Sequence, residues 1–131
     1  FCMPNITVTE FISPEHIRYR LVGTDVITRL GLDLTDKNMF DYTPTKYHAL
    51  MNDIYSAILT MPAALLSITA NTLSSGVQRE VNALHLPMIN HGGETNRLLN
   101  LHLPKEPIAY QAPRDVVEIS SEITDLLILP L

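Results

Sequence analysis

The sequence predicts an α+β domain, a five-stranded antiparallel sheet with helices packed on one face. Residues 6–11 and 17–22 alternate with the period of two expected of half-buried strands. Residues 43–60 repeat at helical spacing, and 64–73, 77–89 and 97–103 return to alternation. Two strands, then helices, then three strands joined by short turns is the order that segregates helices to one face of an antiparallel sheet. With 131 residues, 46% hydrophobic and 18% charged, the chain is long and apolar enough for one packed core.

In the first strand Ile6, Val8 and Glu10 point one way and Thr7, Thr9 and Phe11 the other. Ser13-Pro14-Glu15 reads as a turn, because proline presets φ for that role. Ile17, Tyr19 and Leu21 then alternate with Arg18, Arg20 and Val22, so a hairpin opens the chain. Gly23-Thr24-Asp25 breaks the strand, Val26, Ile27 and Leu30 resume at helical spacing, and Gly31 stops that short helix. Residues 36–38 are polar, and Met39-Phe40 supplies an apolar anchor.

Thr43 fits an N-cap, with Pro44 at the first helical position, where its missing N–H costs nothing. Tyr47, Leu50, Met51, Ile54 and Ile58 give this helix its apolar face as far as about Thr60. In the next strand Leu66, Ile68, Ala70 and Thr72 share a face. Val77, Arg79, Val81 and Ala83 are out of phase with Leu84, Leu86 and Met88, which reads as a bulge near Ala83-Leu84. Leu99, Leu101 and Leu103 alternate with Asn100 and His102 in the last strand. Residues 73–77 and 90–94 are the connecting turns.

Beyond residue 107 the chain changes character. The domain is assigned to 1–107 and the extension to 108–131. Val116, Ile119, Ile123 and Leu126 or Leu127 fall at helical spacing, so an amphipathic segment is expected there. It would pack back on the sheet, extend as a signalling linker or pair with a second copy.

One stretch is more specific than any periodicity. Tyr19-Arg20-Leu21-Val22-Gly23-Thr24 leads into the short helix and then to Gly31, Asp33, Leu34 and Thr35. This resembles the segment that defines a bacterial PAS-domain family, in which Tyr-Arg-Leu-Val-Gly-Thr precedes a helix and Gly-x-Asp-Leu-Thr-Gly. The family usually has glycine where this chain has Asp36. Weaker parallels are Arg79-Glu80, the run from Leu84 through Leu86-Pro87 to Met88, and Gly92-Gly93. The resemblance covers roughly residues 5–107. It implies a PAS-like fold and a sensory or interaction module, and leaves open what is sensed.

Composition narrows the function. A net charge of −5 argues against nucleic acid and anionic membranes, which require a basic surface. The longest apolar run, 126–129, is far short of the roughly 20 residues of a membrane span. The leading Phe1 reads as a trimmed or processed start, and the pattern of a signal peptide is missing. A single cysteine, Cys2, makes neither an internal disulfide nor a cysteine metal cluster, so a cytoplasmic setting is expected.

Catalytic constellations are not evident. G-x-S-x-G and Gly-rich phosphate loops do not occur, and Glu80 beside Arg79 reads as a structural pair. The expectation is a protein that is not an enzyme. Some PAS domains hold haem through a histidine on the long helix. Here His48 sits near the polar start of that helix and reads as solvated or hydrogen-bonded. His16, His85, His91 and His102 show no zinc-type spacing. Photosensory PAS domains use a helix cysteine beside flavin, which the terminal Cys2 does not supply. Haem and flavin are therefore not expected, and any cofactor is unknown.

The remaining candidate is a cavity between sheet and helices, lined by Tyr19, Phe40, Met51, Ile54, Tyr55, Ile68, Leu84 and Leu101. Asn71, Asn82 and Asn100 would orient a ligand if they face inward. Two readings follow. One is a sensor that binds a small, largely apolar ligand and signals by protein–protein contact. The other is a closed-core module for dimerisation or contact with another signalling protein.

Overall fold

The computed structural model describes residues 3–61, 63–73, 78–89, 91–104 and 118–130. A 3-10 turn, Met3–Asn5, leads into β1 (Ile6–Ser13) and β2 (His16–Val22). Then come α1 (Thr24–Leu30), 3-10 turns at Met39–Tyr42 and Thr45–Tyr47, and α2 (His48–Thr60). The chain finishes with β3 (Ala63–Leu73), β4 (Gln78–Ile89), β5 (Thr95–Pro104) and β6 (Glu118–Pro130).

All six strands form one antiparallel sheet in the order β2-β1-β5-β4-β3-β6. The first strand therefore lies beside the fifth, and the sheet closes only when residues some 90 apart in sequence meet. The expected sheet of five strands gains a sixth. Residues 118–130, expected to be helical in character, are instead the edge strand β6, paired along β3 from Leu73↔Glu118 to Ala63↔Pro130. The apolar run 126–129 suits an extended edge, and β3 offers β6 a full row of backbone partners.

Local signals explain the elements before β3. Gly31 ends α1 in the left-handed region, φ 71°, with its N–H on the Ile27 carbonyl. Asp33 Oδ1 accepts from both the backbone N–H and the hydroxyl of Thr35, fixing the following turn. Asp36, where the resembling family usually has glycine, is also left-handed at φ 66°. That turn docks on β2, since Asp36 N–H donates to the Tyr19 carbonyl and Tyr19 N–H to that of Lys37. Asp36 thus keeps the glycine-like backbone, which aspartate tolerates better than most residues.

The long helix starts later than its sequence pattern suggests. Thr43 does not cap it. Its hydroxyl donates back to the Met39 carbonyl, and α2 begins at His48 after a short 3-10 turn. No bulge occurs at Ala83-Leu84 either. β4 pairs regularly with β5 from Val81 through Met88, and the register shifts only at Met88/Ile89. The two apolar sets of β4 occupy opposite faces of one regular strand. Residues 74–77 and Asn90, assigned to turns, lie outside the described residues, as do Cys2 and 105–117.

The buried cluster is built from Ile17, Phe40, Ile54, Tyr55, Ile58 and Leu98, with Met39 and Leu65 beside them. It joins α2 and the Met39–Tyr42 turn to one face of the sheet. The other face carries no helix among the described elements.

Candidate functional site

A cavity of about 260 Å³ lies between that covered face and the helices. α1 contributes Val26 and Leu30, α2 contributes Met51, Ile54 and Tyr55, and the segment between them contributes Met39, Tyr42 and Pro44. β6 closes one side with Ile123 and Leu126. The β3/β6 register shift at Ile68/Thr69 interrupts the ladder, and nearby the Ile123 N–H donates to the Tyr47 hydroxyl at 3.2 Å. That bond ties the edge strand to the cavity's helical wall.

The strands supply something different. Thr7 and Thr9 from β1, Ser67 from β3, His85 from β4, and Asn100 and His102 from β5 all line the cavity. Their cross-strand register brings them together, since Asn100 pairs with Thr7 on one side and His85 on the other. Asn100 Nδ2 donates to the hydroxyls of Thr7 and Thr9, each at 3.1 Å. Its Oδ1 lies 2.7 Å from His85 Nδ1. A carbonyl oxygen can only accept, so Nδ1 carries the imidazole hydrogen. His85 Nε2 then accepts from the Ser67 hydroxyl at 2.9 Å.

The chain of bonds continues from Thr9 to the Tyr55 hydroxyl at 2.8 Å and from Thr7 to His102 Nε2 at 3.1 Å. Burial pushes the His85 imidazole below its ordinary range, with the Asn100 bond opposing the shift. Burial also pushes the Tyr19 phenol up to about 12 and Tyr55 higher still, so both keep their hydrogens. Among the described residues the cavity wall contains no Asp, Glu, Lys or Arg.

Four of the residues expected to line a cavity do so: Tyr19, Met51, Ile54 and Tyr55. Phe40 is buried in the adjoining cluster and stacks edge-on against His48 at 4.9 Å, outside the lining. Ile68, Leu84 and Leu101 lie on the opposite face of the sheet. Leu84 and Leu101 are paired with each other and with Leu66 and Ile6, while Leu65, Ser67, Ala83, His85 and Asn100 between them point inward. The polar lining escapes a sequence reading that turns the leucine-bearing faces inward. The alternation of Asn100 and His102 with leucines, and of Thr7 and Thr9 with Ile6 and Val8, was the available signal. Of the candidate asparagines, Asn100 is inward and Asn82 is exposed on the other face, while the side chain of Asn71 lies outside the described residues.

His48, the histidine of the long helix, does not line the cavity, and its Nε2 is 2.9 Å from the Thr43 carbonyl. On the far face, Glu10 is buried at 6% exposure and meets Arg18, Arg20 and Arg97 at 3.4, 3.3 and 3.0 Å. Burial alone would raise its carboxyl, but the three guanidiniums outweigh that and hold it below the usual range.

No family model and no curated protein matches the chain. Among solved structures it is similar to Vibrio cholera VqmA, crystallised as a complex with ligand and DNA. The TM-score is 0.61 at 10% sequence identity, over 78% of this chain and 46% of that one. This chain therefore matches less than half of the VqmA chain. At that identity the likeness is one of fold, a mixed α/β unit with an antiparallel sheet and few helices. No helix among the described residues is long and apolar enough to cross a membrane.

Proposed function

We propose that this chain is a PAS-type sensory module that holds a small, largely apolar ligand between sheet and helices and passes the signal by protein–protein contact. The observation that carries the reading is the cavity itself, apolar on its helical side and fitted with a hydrogen-bonded polar strip on its sheet side. Small-molecule sites have this composition, with a few polar groups orienting a mostly apolar ligand. The motif at residues 19–35 and the fold likeness to VqmA, a protein solved with a ligand, support it. The role is regulatory and non-catalytic, in the cytoplasm. With a net charge of −5, its partners are proteins rather than nucleic acid.

β6 offers a route for the signal. It contributes Ile123 and Leu126 to the wall and is bonded to Tyr47, so a ligand that moves the helical wall bears directly on the edge strand. Such a ligand shifts the arrangement only by the difference in its affinity for the two states.

A second reading, a dimerisation module with its core closed, is favoured by the uncovered sheet face, where Leu66 and Leu103 are 38% and 50% exposed. Native mass spectrometry of the purified chain, compared with its denatured mass, separates the two. A small mass lost on denaturation supports the sensor. A ligand-free dimer supports the module.

A further inference from the structure

The polar strip inside the cavity specifies more than polarity. Thr9 and Tyr55 share one hydrogen bond, yet they bring two hydroxyl hydrogens. The Thr9 oxygen already accepts from Asn100 Nδ2, so the Asn100 amide offers no acceptor to this pair. If Thr9 donates to Tyr55, the Tyr55 hydrogen finds only the Met39 thioether, 3.9 Å from the Tyr55 oxygen; if Tyr55 donates to Thr9, the Thr9 hydrogen has no further acceptor among the described residues. A thioether is a weak acceptor.

Tyr19, on the same wall, makes no side-chain hydrogen bond among the described residues and adds another hydroxyl hydrogen. The wall therefore has donors to spare at this corner. Among the described residues it has no charged side chain with which to neutralise an ion. A carboxylate, phosphate or ammonium would enter without a counter-charge, at a cost of several kcal/mol.

We propose that the cavity selects an uncharged, mostly apolar molecule bearing one strong hydrogen-bond acceptor, such as a carbonyl oxygen or a ring nitrogen, which meets the Thr9–Tyr55 hydroxyl pair. The inference rests on the sensory reading, because it assumes that the cavity is a ligand site. Its volume of about 260 Å³ exceeds the roughly 150 Å³ void that takes benzene, so one substituted ring fits. The neutral His85 and the surrounding bonds hold the strip in place, and the spare hydroxyl hydrogen supplies the selectivity. A site whose buried donor is left unpaired penalises the analogue that cannot accept from it.

The test compares three single-ring probes by NMR titration of the intact chain: acetophenone, ethylbenzene and benzoate. Acetophenone carries the acceptor, ethylbenzene lacks it, and benzoate is charged. The expected result is that acetophenone binds at least about tenfold more tightly than ethylbenzene, one good hydrogen bond's worth, and that benzoate binds more weakly than either. In Tyr55→Phe, and more fully in Thr9→Val with Tyr55→Phe, that preference should collapse while ethylbenzene affinity stays within about twofold. The single variant keeps the test valid if the double variant does not fold. Equal binding of acetophenone and ethylbenzene overturns the acceptor inference and leaves the cavity reading standing. Binding of benzoate as tight as acetophenone overturns the uncharged class. Failure of all three to bind overturns the cavity reading itself, and this inference with it.

Discussion

Both faces of the sheet depart from a simple division into apolar inside and polar outside. The face covered by helices carries Thr7, Thr9, Ser67, His85 and Asn100, while the uncovered face carries Leu66, Leu84, Leu99, Leu101 and Leu103. A buried polar strip is tolerated because its members bond to one another across four strands, and hydrogen bonds in low dielectric are strong. An apolar face open to water is tolerated only at the risk of association. The contrast teaches that burial and hydrophobicity part company where a site must recognise something rather than merely pack.

The sharpest way to break this comparison is to exchange the two kinds of residue. Asn100→Leu strands His85 Nδ1 and disrupts the threonine hydroxyls, so it should cost about 3 kcal/mol in urea unfolding. Leu101→Asn, one residue along on the other face, should cost about 1 kcal/mol or less. If the leucine substitution on the inner face is the milder one, the assignment of faces fails.

Filling the cavity is the next test. Ala83 is 7% exposed and lines the wall, so Ala83→Phe should weaken probe binding by about tenfold or more. Leu101→Trp, on the far face, should leave binding unchanged. Loss of binding in the second variant would place the site on the wrong side of the sheet.

Acidification separates the faces by pH. The folded chain holds His85 below its ordinary range, so the unfolded chain takes up that proton first. The stability tied to His85 is present above about pH 6.5 and falls as the pH drops below it. The neighbouring titratable group is His102, whose ring lies 6.4 Å away. Glu10, on the outer face, is also held low by its three arginines, so its contribution is complete above about pH 4.3 and falls below that. His85→Gln should flatten the upper step and Glu10→Gln the lower one. The Glu10 change should cost about 1 kcal/mol at neutral pH, since its arginines are a third exposed and partly screened.

The smallest effect belongs to the open face. Leu103→Ser, at a half-exposed position, should move stability by no more than about 0.5 kcal/mol, yet reduce any self-association seen by sedimentation. Unchanged association would place the contact elsewhere.

Elements written in short-range signals were legible in the residues. The β1–β2 hairpin, the stop of α1 at Gly31, the Asp33–Thr35 turn and the end of α2 at Thr60 each depend on neighbours a few positions apart. Four cavity residues, Tyr19, Met51, Ile54 and Tyr55, were legible for the same reason, being set by the phase of a helix or by the strand that follows a clear turn. The start of α2 was not, because the Thr43 hydroxyl had two backbone groups to choose from and took the one behind it.

What the sequence determined by itself is the period of each segment, since periodicity is local. An alternation of two has no absolute phase, and nothing within β4 or β5 says which side the helices will cover. Only the tertiary structure decided that, by bringing Thr7, Asn100 and His85 into one register where their polar groups satisfy each other. It also decided the fate of the tail. Residues with helical spacing became a strand because β3, some fifty residues earlier in the chain, presented an edge of unpaired backbone groups, and pairing with them satisfies what no local pattern records.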